Sequence, residues 1–372
     1  MSDLRKIGAL LQDAVNRRIG SGIAASFGKL SDLSKFNSSH ELFLGTTSHP
    51  SPKHSITENT FFDLASLTKI LATTTLAMKL YDQGKLDLEL TLAQATPEIV
   101  SLNSSLAPIR IRELLTHSSG LPSWKPFYEE MRAYFGVQLP LAKTEERKLK
   151  FDQLLHAVPR EFDPGQKIVY SDLGFVTLEK VISNHFQKDT ESLWRSMGIH
   201  GLHFRPVTTD AATAHFQAEQ NKEAIAATEI CPWRGQLVGQ VHDNNAWSRG
   251  GVAGHAGAFG RLKDVREWIR AVFLGSEISK ATLEVFTKES ARIGGTRRAL
   301  GFDMPSGDGS GSTGFSFSKN TVGHLGFTGT SLWVDLNSGD YAILLTNRVH
   351  PDRNDLRIRQ LRREFHHLVR GT

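Results

Sequence analysis

Apolar positions near the start of the chain recur at helical spacing. Leu4, Ile7, Leu11, Ala14, Val15 and Arg18 fall on one stripe, so residues 3–19 read as an amphipathic helix. Two runs with strand character follow, GIAASFGKL (22–30) and ELFLGTT (41–47), with turn-forming residues between them. From residue 64 to about 290 the pattern is mainly helical with long loops, and LAKTEERKLK (141–150) reads as a solvated helix or loop. SGDGSGSTG (306–314) reads as a flexible connection, after which strand signals return in GFSFS (314–318), TSLWVDL (330–336) and YAILLTN (341–347). A last amphipathic helix is expected from near Pro351, with Leu356, Leu361, Phe365 and Leu368 inward and its arginines in water.

Strands at both ends therefore enclose a helical middle. The ends must meet in one antiparallel sheet, with the first and last helices packed on it. This predicts an α/β (α+β) architecture. Residues 1–60 and 291–372 form a sheet lobe, residues 61–290 a mainly helical lobe, and a ligand site lies in the cleft between them.

Composition narrows the picture. At 372 residues, with 39% hydrophobic and 22% charged, the chain has the balance of a globular protein able to bury a core. Net charge is a mild +5, and the basic C-terminal run carries no nucleic-acid-binding motif. Cys231 is the one cysteine, which excludes an intrachain disulfide and any CxxC metal or redox pair. No stretch approaches the roughly 18 apolar residues of a membrane span, and the N-terminus lacks the apolar core of a secretory signal, so a cytoplasmic location is expected.

Three Ser-x-x-Lys matches occur, at Ser26/Lys29, Ser66/Lys69 and Ser316/Lys319. The first and last lie in strand-like runs, where side chains three apart point to opposite faces. Ser66 opens a helical pattern with the stripe Leu67, Ile70, Leu71, Thr74, Ala77, Met78 and Tyr81, and residues three apart on a helix are neighbours. Lys69 can therefore reach the Ser66 hydroxyl, which lies near the unpaired amides of a helix start. There is no GxSxG elbow, and the glycines at 309, 311 and 314 neither follow a strand nor open a helix, so they make no dinucleotide site.

Further stretches stand in order after FDLASLTK: IRIRELLTHSSGLP (109–122), EFDPGQKIVYSDLGFVTLEKVI (161–182), GGVAGHAGAFG (250–260) and VGHLGFTGTSLWVD (322–335). Together they resemble the serine hydrolases related to class C β-lactamases and penicillin-binding proteins, from about residue 20 to 350. The resemblance implies catalytic roles for Ser66, Lys69 and Tyr170, the last from YSD, in which Asp172 replaces the family's asparagine. It implies that HLG (324–326) stands for the Lys-Thr-Gly strand, with His324 and Gly326 beside substrate, and that the backbone N–H groups of Ser66 and Phe327 form the oxyanion hole. Asp172 either orients Lys69 or caps the helix that follows. A buried lysine beside another cation would be neutral and able to take the serine proton. His117 is expected to fix its loop, and His242 and His255 to line the substrate pocket. The family needs neither metal nor cofactor. The expected function is hydrolysis of an amide or peptide of cell-wall origin, muropeptide or D-amino-acid derived, through an acyl-enzyme. A small-ester esterase, a β-lactamase and a non-catalytic binding protein that kept the fold are the alternatives. The expected partner is a small-molecule or peptide substrate, with no nucleic acid.

Overall fold

The computed structural model describes residues 2–34, 40–196, 201–205, 207, 224–275 and 277–370. The turn expected between the first two strands, and parts of the helical pattern between 197 and 223, lie outside them. The chain opens with helix α1 (Ser2–Asn16), then strands β1 (Gly22–Lys29) and β2 (His40–Gly45). Helices α2 (Thr75–Asp82), α3 (Thr144–His156) and α4 (Asp172–Phe186) belong to the middle of the chain. Strands β3 (Thr321–Leu325), β4 (Ser331–Asp335) and β5 (Asp340–Thr346) precede the terminal helix α5 (Ile358–Val369).

The five strands form one antiparallel sheet in the order β3-β4-β5-β1-β2, with Ala24 facing Leu345 and His324 facing Leu332. The period-2 pattern of β1 explains both of its faces. Ile23, Ala25 and Phe27 bury against Ile7, Leu11, Leu361 and Phe365 of the terminal helices. Ala24 points the other way, into the large core that the sheet shares with the middle of the chain. Strand β3 lies at the edge next to the Ser66 segment.

Several expectations need correction. Helix α5 begins at Ile358, seven residues after Pro351, and Leu356 is exposed. Asp352 accepts from the Asn354 amide and Asp355 from the Arg357 amide, and such side-chain turns compete with helix. Arg362 of α5 is buried, not in water. GFSFS is a set of turns: Gly314 has φ 54°, Phe315 is exposed, and Phe317 alone joins the core. Alternating Phe and Ser imitate a strand there. Within 141–150, Arg147 is fully buried and donates to the carbonyls of Trp247, Ser248 and Val207. Arg18 lies beyond the end of α1, at φ 60°.

Candidate active site

The segment holding Ser66 is not a plain helix. A tight i→i+3 turn at Ala65–Leu67 widens into a π-helical stretch, Lys69–Thr74, before α2 takes a regular pitch. Such wide turns are rare and concentrate at functional sites. Lys69 to Thr75 are buried on every side, so the expected stripe is in fact a core segment. Ala65 sits at φ 47°, a left-handed conformation that costs an alanine about 1–2 kcal/mol. Buried Asp63 holds it there. Its Oδ1 accepts from the Ala65 amide at 2.8 Å and its Oδ2 from the His242 amide at 2.6 Å. Burial raises the Asp63 pKa despite these bonds.

Lys69 Nζ donates to Ser66 Oγ at 3.2 Å, to Asp172 Oδ1 at 2.6 Å and to the His255 carbonyl at 3.2 Å. The other matches have other partners: Ser26 meets the Tyr341 hydroxyl and Lys29 meets Asp340, while Ser316 meets His367. What stands against Lys69 is a carboxylate and not a second cation. Burial alone would lower its pKa, but Asp172 and Tyr170 outweigh burial and raise it, so Lys69 rests as an ammonium. Tyr170 is buried, which raises its pKa against the opposing pull of the Lys69 charge. The lysine ammonium lies 4.8 Å from the Tyr170 ring centre.

The cap of α4 settles what Asp172 does. Ser171 is the capping residue, its Oγ accepting from the Gly174 amide at 3.1 Å, which leaves the Asp172 carboxylate for Lys69. His117 fixes the same corner. Its Nδ1 accepts from the Ser171 amide at 3.0 Å and its ring lies 4.6 Å from that of Tyr170. Burial, then Arg298 and Lys69, push the His117 pKa well down.

The turn after β3 is tied to the serine segment. Thr328 Oγ1 donates to the Asp63 carbonyl at 2.8 Å and Thr330 Oγ1 to the Leu64 carbonyl at 3.2 Å. A Cβ on Gly326 would overlap Thr330 Oγ1 and the Leu64 carbonyl. Glycine is therefore required there for backbone approach, not to leave space for a ligand. From behind, Arg362 Nη2 donates to the carbonyls of Gly326 at 2.6 Å and Thr330 at 2.7 Å. His324 is buried beside Tyr170, ring centres 5.8 Å apart, with Nδ1 2.7 Å from the Leu325 carbonyl. Burial, followed by Lys69, drives its pKa well below the ordinary value, so it is neutral.

A cavity of about 290 Å³ opens in front of Ser66. Tyr170, Asp172, His242, His255 and Phe327 line it, whereas His324 and Gly326 do not. Its far wall is ionic. His255 Nε2 lies 3.0 Å from Asp243 Oδ1, and His242 Nε2 lies 3.1 Å from Glu229 Oε2. Glu229 also accepts from Arg353. Burial opposes the Glu229 charge, but His242 and Arg353 hold its pKa at about 2. Asp243 is likewise held down, against burial, by His255 and the Ala246 amide. Ligand atoms of Asp172, Asp243 and His255 fall within 4.8 Å of one another, a spacing a metal could use. The Lys69 ammonium already supplies the positive charge at Asp172.

Sequence reading missed Asp63, Arg362 and the Glu229–Arg353 pair. Asp63 alone had a local signal, an acid three residues before Ser66.

Comparison with known proteins assigns a family. The Beta-lactamase family model matches residues 41–366. A Bacillus subtilis (strain 168) protein named N-acetylmuramyl-L-alanine amidase is 30% identical over 317 residues, 78% of this chain and 68% of its own length. An Escherichia coli (strain K12) protein provisionally named a D-alanyl-D-alanine carboxypeptidase is also 30% identical, over 79% of this chain and 70% of its own. Simvastatin synthase (LovD) from Aspergillus terreus shares the fold at 17% identity, with a TM-score of 0.72 over 99% of this chain and 98% of that one. The chain belongs to the Beta-lactamase family and is a serine hydrolase.

Proposed function

We propose that the chain cleaves an amide or peptide bond of cell-wall origin, in a muropeptide or D-amino-acid peptide, through an acyl-enzyme on Ser66. The observation that carries this reading is the Ser66–Lys69–Asp172 chain of contacts beneath an open cavity, with the Tyr170 ring 4.8 Å from the Lys69 ammonium. The names of the two relatives, a muramyl amidase and a carboxypeptidase, support the substrate class. The same reading divides the chain into a sheet lobe of residues 1–60 and 291–372 and a helical lobe of 61–290, with this cavity in the cleft.

Lys69 enters the reaction as an ammonium and serves as base once it loses its proton. Asp172 therefore sets the pH at which the centre becomes competent. Tyr170, a phenol at rest, lies beside Lys69 in the same cavity as Ser66 and can pass a proton to the departing amine. The Ser66 and Phe327 amides stand on two segments lashed together by Thr328 and Thr330, and they receive the negative charge of the tetrahedral intermediate. Behind Tyr170, neutral His324 gives no fixed cation for a β-lactam carboxylate, which disfavours the β-lactamase alternative. The wall residues His242 and His255 face the substrate.

The experiment is a panel of muropeptides, D-amino-acid peptides and small esters offered to the native chain and to Ser66→Ala. The variant should fold yet lose about a thousandfold or more of kcat, and mass spectrometry of the native chain should trap an acyl adduct on the Ser66 peptide. Turnover retained by the variant, or preference for the simple ester over every amide, would overturn the reading.

A further inference from the structure

A second, larger cavity of about 880 Å³ is lined by Arg234, whose bonding partners His242 and Asn244 line the catalytic one. Aromatic rings run between the two. Trp124 lines the catalytic cavity and lies 6.3 Å from Tyr128, whose ring stacks on Trp233 at 5.9 Å with the planes 3° apart. Trp233 lines the second cavity and meets Trp247 edge-on at 5.2 Å. The ridge between the two spaces is Arg234. It donates to the carbonyls of Val241 and His242 and to Asn244 Oδ1, and its guanidinium lies 5.3 Å from the rings of both Trp233 and Trp247. The rim of the second cavity carries Arg132, Glu129 and Gln240, with Arg132 4.4 Å from the centre of the Trp233 ring.

Size says that a large substrate must leave the catalytic cavity. Ligand pockets span about 300 to 1,000 Å³, so at 290 Å³ the catalytic cavity lies at the small end, and a substrate carrying both a peptide and a sugar extends beyond it. The aromatic strip leads one way out. Flat indole and phenol surfaces with a polar rim match a pyranose, which has an apolar C–H face and a belt of hydroxyl and amide groups at its edge. The charge pattern argues against an anion. Arg234 spends its Nη groups on the protein, and the rim mixes one arginine with one carboxylate and one amide.

We propose that the second cavity is a saccharide subsite, holding an N-acylated sugar ring of the substrate whose amide lies at Ser66, with Trp233 as its aromatic contact, Trp124 on the way out of the catalytic cavity, and Arg132, Glu129 and Gln240 as hydrogen-bonding partners. This rests on the cell-wall reading above but is tested apart from it.

The test is titration calorimetry of the Ser66→Ala chain with chitobiose, which carries two N-acetylated pyranoses and no peptide bond. Inorganic phosphate is titrated in parallel. Chitobiose should bind, and Arg132→Ala or Trp233→Leu should weaken it about tenfold. In the native chain, Arg132→Ala should lower kcat/KM for a sugar-bearing peptide relative to the same peptide without sugar, by a similar factor. No chitobiose heat up to about 10 mM, binding that both variants leave unchanged, or phosphate binding in place of chitobiose would overturn the subsite. If the chain cleaves no muropeptide but chitobiose binding depends on Arg132 and Trp233, the subsite stands and the substrate reading falls. If it cleaves peptides and binds no sugar, the reverse holds.

Discussion

The two sides of the cavity are held by different physics. On the serine side, neutral hydroxyls and one arginine donate to backbone carbonyls. Thr68 bonds to Ala65, Thr328 to Asp63, Thr330 to Leu64, and Arg362 to Gly326 and Thr330. Across the cavity, carboxylates do the holding. Glu179 binds Arg249 at 2.9 Å and the Gly254 amide at 2.8 Å, Glu229 binds His242 and Arg353, and Asp243 binds His255. Carbonyl acceptors do not titrate in the working range, whereas carboxylates do. Asp63 apart, the serine side is thus fixed by shape, and the far wall by charge that pH and mutation can retune.

The largest effect expected from this contrast is on the far wall. Glu179→Ala leaves Arg249 buried and without its main partner, and breaking a buried pair in this way costs about 3–5 kcal/mol. Urea unfolding of both proteins reads it, and a loss under about 1 kcal/mol would put this wall in the class of surface ion pairs. Next is acid. The Glu229 pKa is depressed when folded, so the stability it lends is complete above its unfolded value near 4.5 and fades as pH falls towards about 2. About 2 kcal/mol should go between pH 4.5 and 3, and Glu229→Gln should flatten that part of the curve. An identical slope in the variant would remove Glu229 from the account.

Asp172 joins the two sides, and Asp172→Asn sharpens the comparison through activity. Burial then acts on Lys69 with no carboxylate against it, so the lysine pKa falls. The rise of kcat/KM with pH should move to lower pH, and the ratio of activity at neutral to alkaline pH should grow severalfold. An unmoved profile would show that another group sets the lysine charge. The smallest effect belongs to the serine side. Thr330→Val removes one bond to Leu64 and should cost about 1 kcal/mol, with no change in the pH dependence of stability. A pH-dependent loss would erase the distinction between the sides.

What the sequence made legible follows from range. Ser66 and Lys69 lie one helical turn apart, and Tyr170 and Asp172 sit at one helix start, so local spacing carries them. The strand period of β1 is equally local. The far wall is not, because Glu229 and Arg353 are separated by 124 residues and Glu179 and Arg249 by 70. Burial also hid residues of familiar type. Arg147 and Arg362 sit among charged neighbours that read as a solvated face, and each is instead drawn inward by backbone carbonyls of nearby turns. His324 occupies the expected strand position, but its side chain turns behind Tyr170, and no sequence pattern records that rotation.

The sheet order carries a consequence for how the chain is made. Strand β1 pairs with β5, more than 300 residues later, and the serine turn is braced from behind by Arg362 of the last helix. At about 5–20 residues per second, a ribosome needs roughly 16 to 65 seconds to pass from β1 to β5. For nearly all of that time β1 presents one ladder edge without its partner, and the catalytic serine lies on an unsupported turn. Competence therefore comes late and at once, when β5 and the helix carrying Arg362 have emerged and the sheet closes.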